Sequence, residues 1–303
     1  MAILTRAQFS KQLVPGLNEI FGNAYKAVDN EHVPLFDVEK SSRNFEEEVL
    51  MTGFGTAATK AEGDQVAFDT ASEAWTARWT HETVAMAFAI TEEAVEDNLY
   101  GTTGKMKANS MGRAMANAKQ VKAANVFNNG FSAGAYAGGD GVALFSTAHP
   151  TIAAGDQSNR VSADLSETAL ENALINISLM KDDRGILIGA QAVSLHIPPQ
   201  LKFVAHRILK SEGRVATADN DTNAMRDMGL FSKGYTVNHR FTDTNAWFIR
   251  TDVPNGTKMF ERVKLGTKDD VDFLTGNLRY KARERYSFGW ADWRQWYGSS
   301  GST

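Results

Sequence analysis

Residues 73–90, "EAWTARWTHETVAMAFAI", alternate large apolar and polar side chains with the period of an extended strand, and the register changes halfway. Trp75, Ala77 and Trp79 share one face, with Thr76, Arg78 and Thr80 behind them. Beyond His81 the larger apolar groups Val84, Met86, Phe88 and Ile90 take the opposite register, against Ala85, Ala87 and Ala89. A strand that exchanges its apolar face leaves one packing environment and enters another. Fully extended, about 17 residues reach ~55 Å, further than the width of a compact domain. Upstream, "NFEEEVLM" and "QVAFDT" predict strands on either side of "TGFGTAATKAEGD", whose Gly, Ala, Thr and Asp favour a mobile connection. The pattern predicts a projecting two-stranded arm with a flexible tip.

The second constraint is a long helix. Thr91 with Glu92 and Glu93 reads as a helix start, since a hydroxyl caps free N–H groups and acids suit the first turn. "GTTGK", Gly101 to Lys105, reads as a turn that interrupts it. From 105 to 129 a stripe of mostly small residues (Met111, Ala114, Met115, Ala118, Val121) predicts an uninterrupted helix with something lying close against it. Before the arm, Leu13, Leu17, Ile20 and Phe21 predict a short amphipathic helix, with an early turn or break at Pro15. Afterwards come a Gly-rich connection with a short strand over 142–145, a helix over 166–182 capped by Ser166 or Asp164, and a strand "AVSLHIP". A helix opened by Pro198, strands "GYTVNHRF" and "NAWFIRTDVP", a turn at Asn255-Gly256 and a strand-rich remainder complete the chain.

Several chemistries are excluded. "GFSAG", Gly130 to Gly134, matches the hydrolase elbow letter for letter. That elbow needs a strand before the Ser and a helix after it; here the order is reversed, so Ser132 is not expected to be catalytic. "GTTGK" lacks the spacing and the Ser or Thr of a phosphate loop. The histidines (His32, His81, His149, His196, His206, His239) show no metal-ligand spacing, and the absence of cysteine removes thiolate zinc sites, disulfides and thiol nucleophiles. No cofactor or metal is expected. Glu46 to Glu48 read as a solvated face. A net charge of −4 gives no basic footprint for tight nucleic-acid binding, although Arg283, Arg285 and Arg294 flank the terminal aromatics. No signal-peptide pattern opens the chain and no run approaches the ~18 apolar residues of a membrane span. A soluble, non-secreted protein without a membrane partner is expected.

The terminal stretch "RERYSFGWADWRQWYGS" holds three of the chain's six tryptophans. Tyr286, Phe288 and Trp290 fit a strand with Ser287, Gly289 and Ala291 behind; Tyr286, Trp290, Trp293 and Tyr297 fit a helix face. Gly289 and the aromatic density favour the strand, laid into a sheet against the long helix. On that reading Trp290 points into the core, and Trp293, on the other register, faces a neighbouring element or subunit.

Read in order, these segments resemble the major head (capsid) protein of Mu-like phages and prophages. The similarity lies in "HETVAMAFAITEEAVEDNLYG" running into "MGRAMA", in "GDGVALFSTAHPT", and in "YKARERYSFGWADWRQWYGS". It implies the α+β Hong Kong 97-like capsid fold: an N-terminal arm (1–42), an extended β-hairpin loop (43–90), a peripheral domain with its long spine helix (91–165), an axial domain (166–250), and returning strands of the peripheral domain (251–303). The implied partners are copies of itself in hexamers and pentamers, a portal, a protease and a separate scaffold, since no long scaffolding region precedes the arm. The implied location is the virion capsid, assembled in the bacterial host cytoplasm around double-stranded DNA that is held without sequence-specific binding. Phe54, Lys60, Trp75, Trp79 and Trp293 are the expected interface residues, and Lys60 is the residue that a covalent cross-link, known in some relatives, would use. An encapsulin-like compartment shell is the alternative, and a Ser132 hydrolase a more distant one.

Overall fold

A computed structural model describes residues 10–96, 100–134, 136–213 and 222–302. Helix α1 (Ser10–Lys26) runs through Pro15 without breaking. Strand β1 (Asp37–Lys40) follows, then β2 (Phe45–Met51), β3 (Glu73–Thr80) and β4 (Glu82–Ile90). The register change read at His81 is a change of sheet. β3 pairs antiparallel with β2 as a separate hairpin, whereas β4 pairs with β10 (Leu278–Trp290) from Ile90–Leu278 to Glu82–Tyr286. "QVAFDT" forms no strand; residues 52–72 are an irregular loop across the hairpin's end.

A short helix α2 (Glu92–Glu96), with Thr91 Oγ1 accepting from Ala94 N, precedes α3 (Tyr100–Asn128). The expected interruption at "GTTGK" is absent: Gly101 to Lys105 are helical. Packing overrides the glycine's propensity, because a Cβ at Gly104 would come within 3.2 Å of Ile90 Cδ1. At ~1.5 Å per residue α3 is a rod of about 43 Å. What lies close against it is α1. A Cβ at Gly112 would sit 2.7 Å from Phe21 O, so the two helices cross where Ala108 and Gly112 bare the backbone. Leu17 and Phe21 pack there with Met111, Met115, Tyr280 and Ala282.

Strands β5 (Arg160–Val161) and β6 (Ala192–Ile197), helices α4 (Glu167–Ser178), α5 (Lys202–Lys210) and α6 (Ala224–Asp227), and strands β7 (Tyr235–Val237) and β8 (Trp247–Thr251) follow. Ser166 caps α4 by accepting from Ala169 N. The strand expected over 142–145 is instead an irregular segment whose Leu144 and Phe145 are fully buried. β9 (Thr257–Val271) and β10 then form a long hairpin, and β11 (Trp296–Ser299) ends the fold.

Two larger sheets result, ordered β1-β9-β10-β4 and β5-β11-β8-β6-β7. The stretch after residue 251 is therefore divided: β9 and β10 complete the first sheet, and β11 inserts into the second beside β8. Between the sheets Phe127, at the end of α3, collects Phe36, Phe145, Phe241, Phe248 and Trp296, with Trp296 nearest at 4.6 Å between centroids. The aromatics saved for the chain's end close this core.

Candidate assembly surfaces

The β2–β3 hairpin is anchored firmly at its base and left bare toward its tip. Glu48 and Glu39 both pair with Lys258 of β9, at 2.5 and 3.1 Å. Burial alone pulls the Lys258 ammonium toward neutrality, but the bonds to Glu48 and Glu39 more than offset it and its pKa is raised. The "EEE" run is thus only partly a solvated face. Trp79 is enclosed by this chain, edge-on to Phe260 at 5.2 Å and over Gly289, where a Cβ would lie 2.6 Å from Nε1. Trp75 is half-buried over Gly139. At the point where hairpin becomes sheet strand, His81 bonds Ser41 Oγ and Ser287 Oγ at 2.8 and 2.9 Å. Desolvation, then Arg285, lower its pKa.

Past this base the apolar groups stop finding cover. Phe54 is 63% exposed, Phe68 is 97% exposed, and Val49, Met51 and Val66 are bare as well. Lys60 lies exposed in the same loop. A second bare tip, Phe273 and Leu274, sits on the turn between β9 and β10.

Trp293 is not at a surface. It lies in a one-turn 3₁₀ segment, Trp293–Gln295, fully buried, its ring stacked on His149 at 4.3 Å. Trp290 meets the same imidazole edge-on at 6.4 Å. His149 is held by Asp140 at 2.7 Å and Asn159 at 3.1 Å, and Asn159 Nδ2 also donates to the carbonyls of Leu144, Trp293 and Trp296. The two tryptophans expected on different surfaces share one buried support. Of the five expected interface residues, Phe54 and Lys60 are exposed, Trp75 is half-covered, and Trp79 and Trp293 are internal.

Ser132 occupies an exposed turn after α3, with a helix where the elbow needs a strand. The histidines are dispersed: His32 bonds Gln120, His196 bonds Ser194 and Thr236, His206 bonds Tyr235, and His239 bonds Glu31. Among the described residues no group of three or more His, Asp or Glu could hold a metal ion. The three arginines that flank the terminal aromatics in sequence are dispersed as well. Arg294 is buried against Asp183 at 2.8 Å and Asp292 at 3.3 Å, Arg285 donates to Asn44, and Arg283 alone of the three is exposed. Among the described residues no helix is long and apolar enough to cross a membrane.

One feature escaped the sequence reading. Glu284 faces inward on β10 between Ala282 and Tyr286, fully buried, and pairs with the buried Lys119 of α3 at 2.6 Å. Tyr25 of α1 donates to the same carboxylate at 3.1 Å. The strand alternation and the i, i+4 series Met111, Met115, Lys119 both place these charges on apolar faces, which is the signal that could have found them.

An anchored hairpin with a bare apolar tip, a rod-like helix and two sheets around one aromatic core define a subunit built to be completed by others. The same architecture occurs in solved structures. A solved structure from Mycobacterium phage Adephagia matches with a TM-score of 0.56 and 12% identity, over 91% of each chain. The capsid of an empty GTA particle matches at 0.55 and 12% identity, again over 91% of each chain. The procapsid of bacteriophage JBD30 matches at 0.52 and 16% identity, over 98% of this chain and 76% of that one. These likenesses establish the Hong Kong 97-like fold of tailed-phage capsids. No curated protein matches the chain by sequence. The phage capsid protein profile matches residues 75–299, and the chain belongs to that family. Its role is structural, as a capsid subunit of the virion.

Proposed function

We propose that this chain is the major capsid subunit of a tailed phage, closing as hexamers and pentamers into an icosahedral shell around double-stranded DNA. The carrying observation is the family match across 75–299 joined to a hairpin that folds its base on its own chain and leaves its tip uncovered. Subunits of this kind bury thousands of Å² on neighbours. The division into arm (1–42), extended loop (43–90), peripheral domain (91–165), axial domain (166–250) and returning strands (251–303) is part of this proposal, as are the Mu-like kinship, a separate scaffold, protease and portal, and assembly in the host cytoplasm. The family match favours a genome container over a cargo compartment. Sedimentation and negative-stain imaging of the purified protein, with and without co-produced scaffold, test the reading. Closed shells are expected; a monomer under every condition overturns it.

Two outcomes follow for the loop and the genome. Deleting Gly55 to Gly63 should lower subunit stability by less than about 1 kcal/mol, because that segment buries little, while shells fail to form. Normal shells from the deletion variant would remove the loop from assembly. With a net charge of −4 and Arg294 sequestered, the protein should show no duplex-DNA binding of micromolar or tighter affinity at physiological salt, in a filter-binding titration.

A further inference from the structure

Strand β4 closes one end of its sheet. It pairs with β10 on one side, and among the described residues no strand pairs with the other. Such an edge offers a row of backbone N–H and C=O groups to an incoming strand, and natural proteins blunt it with charge, proline or a bulge. Between Thr83 and Ile90 β4 carries none of these. One carbonyl is taken, since Ala89 O accepts from Lys107 Nζ of α3 at 3.1 Å.

The two faces beside this edge differ. Opposite residues of an antiparallel pair share a face, so Val84, Met86 and Phe88 lie with Glu284, Ala282 and Tyr280 on the side of α1 and α3. On the other side Thr83, Ala85, Ala87 and Ala89 stand opposite Arg285, Arg283, Lys281 and Arg279. The four small residues are exposed, as are Arg279, Lys281 and Arg283. β9 adds the exposed Lys268 opposite Lys281, and the only carboxylate in the paired rows of this face is Asp270, opposite Arg279. Arg279 pairs with Asp272 and Arg285 donates to Asn44, whereas Lys281, Arg283 and Lys268 have no ion pair among the described residues.

The edge also opens into a groove. A cavity of about 230 Å³ is lined by Met86, Ala87 and Phe88 of β4 and by Lys107, Ser110 and Met111 of α3. Ala87 faces the opposite side of the sheet from Met86 and Phe88, so a cavity that touches all three lies at the free edge.

We propose that the free edge of β4 binds an extended segment of another protein, with side chains that alternate between acidic and apolar, as a further strand of the sheet. The backbone of the segment bonds β4. Its apolar side chains enter the groove at Met86, Phe88 and Met111, and its acidic ones, on the other face, meet Lys281 and Arg283. The alanine row makes that reach possible. The cations stand two strand spacings, about 10 Å, from the added strand, and their long stems lie over side chains too small to block them. A polynucleotide could use the cations but neither the backbone edge nor the apolar groove. A second copy of the same edge would set one cation row against another. The chain's own acidic run, Glu46 to Glu48, is already paired with β3. The site is complete in one subunit, so it stands or falls separately from shell formation.

The probe is a fluorescein-labelled peptide of alternating glutamate and valine, as long as β4, titrated into the unassembled subunit and followed by anisotropy. Saturable binding is expected, with the β4 amides protected from hydrogen exchange in the complex. Lys281→Glu with Arg283→Glu, both at exposed positions, should weaken binding by about tenfold or more. Met86→Asp, which sets a carboxylate at the groove, should weaken it as well. An alternating lysine–valine peptide should not bind. Equal affinity for a peptide with the same glutamates and valines in two separate blocks, or for an oligodeoxythymidine of equal charge, would reduce the site to a cationic surface and overturn the proposal. No binding of the alternating peptide at millimolar concentration, or unchanged affinity in the charge-reversed variant, is equally fatal.

Discussion

Trp290→Ala and Trp293→Ala are each expected to destabilise the free subunit by about 3–5 kcal/mol, on the scale of truncating a buried aromatic and a large part of a typical domain's stability. Trp290 is nearly fully buried, donates its Nε1–H to Tyr136 O at 3.1 Å, and lies so close over Gly138 that a Cβ there would fall 2.1 Å from Cη2. Its removal opens a cavity and orphans the Tyr136 carbonyl. Trp293 has no exposed surface at all, stacks on His149, and carries the Arg294 guanidinium 4.6 Å from its ring. Losing it uncovers the imidazole held by Asp140 and Asn159. Since both tryptophans lean on His149, the double variant should cost less than the sum of the two singles. Denaturant unfolding of unassembled subunits checks this. A Trp293→Ala subunit within about 1 kcal/mol of wild type would return that residue to an intersubunit role.

Lys119→Met should cost about as much, because breaking one side of a buried ion pair leaves the other charge uncompensated, typically at about 3–5 kcal/mol. Burial already raises the Glu284 pKa, and the hydrogen bond and charge of Lys119 are the chief influences that lower it. The sign of the pH effect follows from that direction. With the folded pKa above the unfolded one, the folded state holds a proton the unfolded state has released, so this carboxyl's contribution falls as pH rises through the window between the two values. Removing Lys119 lifts the upper edge of that window. The deficit of Lys119→Met relative to wild type should therefore be largest near neutral pH and shrink as pH is lowered toward the ordinary carboxylate range. A companion Glu284→Gln in the Lys119→Met background should recover much of the loss at neutral pH, since no buried charge remains. A deficit independent of pH would show that the methionine disturbs packing rather than leaving an unpaired carboxylate. Because the triad ties α1, α3 and β10 together, the same measurement reports how strongly the N-terminal helix is fastened to the rod.

Local periodicity determined much of this protein before any contact was known. A pleated strand turns successive side chains to opposite faces, so the exchange of apolar face at His81 could only mean that two different surfaces cover 73–80 and 82–90, and β3 and β4 do lie in different sheets. The same reasoning marked the closing strand through Trp290 and the long helix with a close neighbour. Periodicity failed where packing outweighed propensity, as at Gly101 to Lys105, and where burial required no regular element, as at Leu144 and Phe145. Which distant surface meets a given face was left to the tertiary structure. Trp79 and Trp293 are as aromatic as Phe54 and Phe68, and nothing within a few residues distinguishes them; the first two meet Phe260 and His149 from elsewhere in the chain, while the others stay exposed. Lys119 with Glu284 and Asp69 with Arg184 join positions far apart in sequence, and local preference carries no term for such pairs. The sequence by itself therefore determined the elements and their apolar faces, because side-chain spacing follows backbone geometry. Only the folded chain decided which of those faces it covers itself and which it leaves for a neighbour, because that depends on long-range closure.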